Sequence, residues 1–595
     1  MFNSETKICQ NCKNQFTIEP EDFEFYEKIK VPAPTFCPEC RLTRRMNFKN
    51  ERSFYKRKCD LCDKSIVAIY PQNVSFSVYC PSCWWSDKWN ALDYGKEYDF
   101  SKPFLIQFQE LLKKVPRISL LIDYLRSINS EYTNYTGPLK NCYLVIQAEG
   151  DENCFYSSSL FNSKDSADCL RAVDVQNSYE LFNCGKCYNT FFSISCFECI
   201  DVYFSKALNN CSNCFGCSNL RHKNYYIFNQ PYSKEEYFKF IESLNFGSFN
   251  EIKKHKEKAK QFWIKFPNKY FSGLFNNNIS GNYIINSKNV FYSFEIGGGE
   301  NLKYCFQAHM PTSKDCYDYG DWGNNASLMY ESINCGEHIS NTKFSFGSWI
   351  GSNLQYCDTV VSSDYMFGCS QVRKGKYCIL NKQYTKEEYE ELVPKIIDHM
   401  NNMPYIDKKG RVYKYGEFFP PKLSPFAYNE TIAQEYFPLT KEQAIEQGYS
   451  WKDPEERNIK PTITAEQLPD HIKDVSDTIT KEIIECAHKG ECNEQCTTAF
   501  KIIPQELEFY RKMNLPLPRL CPNCRHYQRI KQRNPLKLWK RQCQCNGEKS
   551  SNGVYANTIQ HFHGDQPCPN EFETTYSPDR KEIVYCEHCY QQEVV

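Results

Sequence analysis

The sequence predicts a mainly β chain: a duplicated central parallel β-helix, or solenoid, flanked by N- and C-terminal four-cysteine modules, with short helices. Three observations predict it. The stretch EFYEKIKVPAPTFCPECRLTRR (24–45) returns as EFYRKMNLPLPRLCPNCRHYQR (508–529), displaced by 484 positions. The centre is doubled too, since FGCSNLRHKNYYIFNQPYSKEEY (215–237) returns as FGCSQVRKGKYCILNKQYTKEEY (367–389), and SYELFNCG (178–185) as MYESINCG (329–336). Within the first half a shorter beat runs through KNCYL, ENCFY, ADCLR, NSYEL, GKCYN, FECID, SNCFG and KNYYI. Its third residues, from Cys142 and Cys154 to Tyr179 and Tyr225, step by 12, 15, 10, 8, 12, 15 and 11. Short strands, each led by a polar residue and followed by an inward Cys or aromatic, suit a coil whose stacked rungs bury one continuous core. The uneven step argues against a strict hexapeptide or leucine-rich pattern.

At 595 residues the chain exceeds one core. Its formal charge is zero and its mean hydropathy is −0.64, a soluble composition. The opening MFNSETKICQ fits no signal peptide, and no apolar run approaches the roughly 18 residues of a membrane helix, so the expectation is a cytoplasmic chain with no membrane contact. Thirty-four cysteines in so long a chain, many as C-x-x-C, point to metal rather than disulfides. The expected segments are a cysteine module (1–95), a helical connection (96–136), solenoid half A with its helix (137–245), a basic helical linker (246–278), solenoid half B with its helix (279–403), a Pro/Tyr-rich strap (404–484) and a second cysteine module (485–595).

Cys9, Cys12, Cys37, Cys40, Cys59, Cys62, Cys80 and Cys83 form four C-x-x-C pairs. Each pair sits on a tight turn that aims two thiolates at one ion, and two pairs close a tetrahedral site that suits zinc. Sequential pairing joins the first four and the last four; a cross-braced pairing would use the same residues. The C-terminal copy keeps the intervals: 25 residues from Cys12 to Cys37 and from Cys496 to Cys521, 19 from Cys40 to Cys59 and from Cys524 to Cys543, and 18 from Cys62 to Cys80 and from Cys568 to Cys586. The expected C-terminal ligands are therefore Cys492, Cys496, Cys521 and Cys524, then Cys543, Cys568, Cys586 and Cys589, for four zinc ions in all. An insertion also offers Cys545, His561 and His563, so Cys545 or a histidine can compete for the last site.

The pattern C-x-x-C…F…EFY…P…C-P-x-C-R, at Cys9–Arg41 and, with a longer first spacing, at Cys492–Arg525, resembles the "probable zinc-ribbon domain" family over some 35 residues at each end. The whole layout is similar to an uncharacterised multi-cysteine family of bacteria with reduced genomes. The resemblance implies a cytoplasmic metal-binding protein and no reaction.

Between the paired sites lie basic segments. Residues 41–58 hold eight Lys/Arg and one Glu, and residues 525–542 hold seven Lys/Arg and no acid. Arg41, Arg44, Arg45, Lys49, Arg52, Lys56 and Arg57, with Arg525, Arg529, Lys531, Arg533, Lys537, Lys540 and Arg541, are interleaved with Phe48, Phe54, Tyr55, Tyr527 and Trp539. Cations for phosphates and rings for bases make a candidate nucleic-acid face, for RNA, a ribosome or DNA; a protein partner, with the modules capping the solenoid, is the alternative.

The central cysteines Cys184, Cys187, Cys196, Cys199, Cys211, Cys214 and Cys217 have metal-like spacing, but the second half keeps few of them, which favours a ladder of buried thiols acting as small hydrophobes. Each half ends in a helix with a capping box, Ser233 with Glu236 and Thr385 with Glu388. The tract 251–266 reads as a basic spacer helix. No Walker A, H-E-x-x-H or nucleophile-elbow motif is present. Asp315, Asp318 and Asp321 are the best lead to a β-helix carbohydrate enzyme, and turn-forming Asp is the plainer reading, so the expectation is a non-catalytic scaffold.

Overall fold

A computed structural model describes residues 2–308, 312–453 and 459–595. The chain divides into two compact units, Met1–Leu120 with Phe271–Asp453, and Leu121–Tyr270 with Pro454–Val595. Each unit joins one half of the solenoid to one terminal cysteine segment. Five residues of the expected strap, 454–458, lie outside the described residues.

In the second unit, parallel strands pair in a register of 12 residues, as in Ile146↔Ser158, Leu170↔Phe182 and Ser212↔Asn224. From Asn141 to Tyr225 every third residue has a left-handed backbone, for example Asn153 (φ 56), Asp165 (φ 46) and Asp168 (φ 54). Such a residue bends the chain, so a rung has four corners. Asn and Asp adopt this conformation most readily among non-glycine residues, and they recur there. Their side chains also form ladders: Asn129 donates to Asn141 at 3.1 Å, Asn141 to Asn153 at 3.0 Å, and Asn153 to Asp165 at 2.9 Å.

The residue after each corner points inward. Four inward side chains per rung leave room only for small groups, and the interior is built from residues such as Leu139, Cys142, Val145, Ala148, Cys154 and Leu160. Backbone satisfaction explains the serines and cysteines among them. Corner residues donate to the previous rung (Asn153 N to Lys140 O, 2.9 Å) and the residues before them to the next (Lys140 N to Asp151 O, 3.0 Å). The inward residue's N–H is left over. An inward Ser supplies its acceptor: Cys169 N donates to Ser157 Oγ at 3.0 Å and Val175 N to Ser163 Oγ at 3.2 Å. Cysteine substitutes, since Cys196 N donates to Cys184 Sγ at 3.5 Å. Each inward thiol in turn donates to the carbonyl two residues before it, as Cys142 does to Lys140 O and Cys217 to Phe215 O.

Two expectations are corrected. The step is regular: the anchoring cysteines differ by multiples of three because they fall on different sides of a rung of 12. Aromatics are not the rung fillers of this half. Tyr179 and Tyr225 are not at inward positions; Tyr179 belongs to a separate cluster outside the coil with Phe155, Tyr156, Phe191, Phe204 and Phe509. The tract expected as a spacer is the helix Phe249–Trp263, and its Ile252, Ala259 and Trp263 are buried in that same cluster.

The first unit repeats the scheme. Its rungs lengthen to 13 or 14 residues between Glu300 and Ser340 (Glu300↔Lys314, Ser327↔Ser340) and return to 12 at Ser352↔Asp364. Both coils end in an antiparallel turn-back, Ile227↔Gln230 and Ile379↔Lys382, followed by the expected capped helices Lys234–Ser243 and Lys386–Asn402. Among the described residues no helix is long and apolar enough to cross a membrane.

Candidate metal centres

Each terminal segment carries two short helices around its first cysteine cluster: α1 (Pro20–Ile29) and α2 (Pro38–Met46) in the first unit, α3 (Pro504–Lys512) and α4 (Pro522–Ile530) in the second. Proline at N1 or N2 and an extended cysteine N-cap start α2 and α4 at the C-P-x-C motif.

The structure gathers Cys9, Cys12, Cys37 and Cys40; Cys59, Cys62, Cys80 and Cys83; Cys486, Cys496, Cys521 and Cys524; and Cys543, Cys568, Cys586 and Cys589, with the ligand atoms of each set within 4.8 Å of one another. Sulfurs stand 3.7 Å apart for Cys12 and Cys37, 3.9 Å for Cys62 and Cys80, 4.0 Å for Cys496 and Cys521, and 3.9 Å for Cys568 and Cys586. A tetrahedron with metal–sulfur bonds of about 2.3 Å has sulfur edges of about 3.8 Å, whereas a disulfide needs about 2.05 Å. All 34 cysteines are free thiols. Each four-cysteine set can therefore hold a metal ion.

One contact identifies the first ligand of every set. The third cysteine's backbone N–H donates to the first cysteine's sulfur: Cys37 to Cys9 at 3.2 Å, Cys80 to Cys59 at 3.3 Å, Cys521 to Cys486 at 3.3 Å and Cys586 to Cys543 at 3.2 Å. The pairing is thus sequential, not cross-braced, and Cys543 rather than Cys545 completes its set. Cys486 stands in the gathered set at the place expected for Cys492, whose sulfur is itself 3.7 Å from Cys524 Sγ. Cys486 follows the strand Ile484–Glu485 just as Cys9 follows Glu5–Ile8. That strand is the signal for Cys486, which the near-C-x-x-C spacing Cys492-x3-Cys496 obscures in the sequence.

In three sets one thiol is held well below the ordinary thiol range by hydrogen bonds from its neighbours: Cys9 chiefly by Cys37, Cys521 by Cys486 and Cys586 by Cys543. Cys37 is pushed up chiefly by its contact with Cys40, Cys524 by Cys486 and Cys589 by Cys543. A first thiolate in a crowded sulfur shell is the starting state for capture of a soft cation.

The basic segments do not form the expected phosphate-facing surface. Arg41, Arg44, Arg45, Lys49, Arg57, Arg525 and Arg529 are buried. In the first unit Arg41 and Arg45 hold the two oxygens of Asp318 at 2.8 and 3.2 Å, while Arg44 holds Glu331 at 2.8 Å and Glu417 at 3.1 Å. Lys49 pairs with Asp321 and with Glu51 at 2.6 Å, and Arg57 pairs with Asp60 at 2.8 Å. In the second unit Arg525 and Arg529 straddle Asp168, each at 2.6 Å. The equivalence is close: Arg41 and Arg525, and Arg45 and Arg529, are related by the same displacement of 484, and Asp318 and Asp168 are both left-handed corner residues. Burial opposes charge on Arg41 and Arg525, yet Asp318 and Asp168 raise both guanidinium pKa values well above the ordinary one.

The remaining expected cations differ. Arg52 lies 3.8 Å from Glu435, Lys531 pairs with Glu494, and Arg541 donates to the carbonyls of Tyr576 and Ser577. Arg533 is half-buried, whereas Lys56, Lys537 and Lys540 are exposed. Of the three aspartates in the enzymatic lead, Asp318 and Asp321 are buried in the ion pairs above, and Asp315 pairs with Lys28 at 3.0 Å. The partner carboxylates Asp168, Asp318, Glu331 and Glu417 are not legible as partners in the sequence because they lie hundreds of residues from the arginines they meet.

No family model matches the chain, and no curated protein matches it. A solved chain from Desulfovibrio desulfuricans G20, assigned as an acetyltransferase, aligns at 9% identity over 49% of this chain and 86% of its own, with a TM-score of 0.10. At that score the likeness carries no argument about fold or activity.

Proposed function

We propose that the chain is a non-catalytic solenoid scaffold braced by zinc, one ion in each four-cysteine set, that works in the cytoplasm by presenting its rungs to a protein partner. The observation that carries this is the repeated clamp: in each unit two arginines of the helix starting at C-P-x-C grip one corner aspartate of the coil. A closed thiolate site leaves no open position for substrate or water, so its ion serves to fix the helix that bears the arginines. Ion pairs also occupy the three aspartates of the enzymatic lead, and seven of the fourteen cations of the nucleic-acid lead are buried. Left outward are rung side chains such as Tyr188 and Ile200, in register on neighbouring strands, and Tyr292 stacked on Tyr304. Free cysteines throughout accord with a reducing compartment.

Lys537 over the Trp539 ring at 5.6 Å, with exposed Lys540, favours the second reading, a nucleic-acid or ribosome partner. Capture of partners by the tagged full-length chain from its own cells, with and without nuclease, separates the two. Protein partners should survive nuclease. RNA held by the basic segments through the exposed Lys56, Lys537 and Lys540 should bind with a log–log salt slope of about three or less. Loss of every partner on nuclease treatment, or an RNA slope on the order of ten, would overturn the scaffold reading.

A further inference from the structure

The second unit carries a cluster that the four-cysteine sets do not absorb. Cys545, His561 and His563 come from the insertion between Cys543 and Cys568, and with Cys589 their ligand atoms lie within 4.8 Å of one another. Cys589 belongs to both this group and the last four-cysteine set. We propose that Cys589 is a bridging thiolate and that this end of the chain holds two zinc ions, one on Cys543, Cys568, Cys586 and Cys589, the other on Cys589, Cys545, His561 and His563. The proposal rests on the zinc reading of the four-cysteine sets and adds a site to it.

The histidines are arranged as ligands. The His563 ring meets the Gln566 carbonyl through Nδ1 at 2.6 Å, which places a proton on Nδ1 and leaves the Nε2 lone pair free; that Nε2 is 3.4 Å from Cys589 Sγ. The other ring is set the opposite way round. His561 Nε2 lies 3.2 Å from Glu593 Oε2, with both side chains fully buried, and His561 Nδ1 is buried with no hydrogen-bond partner. An imidazole fixed by a carboxylate on one nitrogen, with the other unpartnered in the interior, is the usual support of a metal-bound histidine. Glu593 is itself anchored by Tyr555 Oη at 2.8 Å and Thr558 N at 2.7 Å. Asn557 Nδ2 donates to Cys545 Sγ at 3.2 Å, as an outer partner of a thiolate would.

Competition for a single ion does not fit this arrangement. Cys543 keeps the N–H···S contact of a first ligand, so the four-sulfur set is complete without Cys545. Cys545 and the two histidines lack a fourth ligand unless they share Cys589. Electrostatics agrees: one ion on four thiolates is formally doubly negative, and a second ion arriving with one more thiolate and two neutral imidazoles lowers the cluster to a single negative charge.

The test is anomalous diffraction at the zinc edge from crystals of the full chain grown with zinc, with metal content measured on wild type, Cys545→Ser and His563→Ala. The expected map has two peaks beside Cys589 closer than about 4.6 Å, the sum of two zinc–sulfur bonds, and each variant loses one ion per chain. A single peak beside Cys589, with variants that keep their full metal content, overturns the bridge while leaving the four-sulfur reading intact. No peak at any cysteine set overturns both. Should a variant fail to fold, the wild-type map decides.

Discussion

At the scale of the residue, the coil is governed by what an inward side chain can do for the N–H one rung on. Serine and cysteine accept that bond and are small. Asp151 is the exception: it is inward, 2% exposed, and accepts from Ser163 N at 2.8 Å, but burial raises its carboxyl pKa from 3.8 to about 7. A carboxyl raised on folding binds its proton more tightly in the native state. Its favourable contribution is complete below the unfolded pKa and is lost as the pH climbs through about 7. Asp151→Asn keeps the acceptor and removes the charge. It should stabilise the protein at pH 8 by on the order of 2 kcal/mol and by clearly less at pH 5. Thermal unfolding at the two pH values checks this, and an equal gain at both would count against it. The inward thiols were legible as a buried ladder, because the second half keeps few of them; their spacing by multiples of three is hidden when Tyr179 and Tyr225 are counted with them. The corner conformation was not legible. Residues as different as Tyr156, Arg171 and Phe192 adopt it alongside Asn and Asp, since the rung imposes it whatever the side chain.

At the scale of the element, α2 and α4 read as part of a nucleic-acid face, yet their arginines are interior. Sequence displays the cations of C-P-x-C-R but not the acids that meet them, and the charge pattern alone cannot separate a phosphate-binding face from half of a buried ion pair. The two cases differ sharply in energy. Asp168→Asn strands Arg525 and Arg529 in the interior and should cost about 3–5 kcal/mol. Asp165→Asn, at the partly exposed corner that meets Lys512 at 3.5 Å, should cost no more than about 1 kcal/mol. Chemical denaturation of the two variants beside wild type measures the contrast; similar losses would mean that the clamp contributes no more than a surface pair.

At the scale of the whole molecule, the doubled cysteine motif serves two units that each need a brace. The duplications were plain in the sequence. Which terminal segment joins which half was not: the N-terminal one shares a unit with the second half and the C-terminal one with the first, and only tertiary contacts establish that. If ions hold the clamping helices, stripping them should loosen coil as well as module. Hydrogen exchange after a strong chelator should rise together in Pro522–Ile530 and in the adjoining rung Leu170–Val173. Faster exchange in the helix alone, with the rung still protected, would show that the coil stands without its brace.

The rung of 12 also constrains how such a chain can change length. Excising or duplicating a full circuit leaves every hydrogen-bonding partner and every facing direction as before. A single inserted codon, by contrast, rotates all downstream residues by one place, turning lysines toward the axis and valines toward water. Drift in this part of the gene is therefore expected to proceed in whole turns, with lone insertions surviving only where a circuit tolerates another length, as the 13-residue register Ser327↔Ser340 of the first unit does.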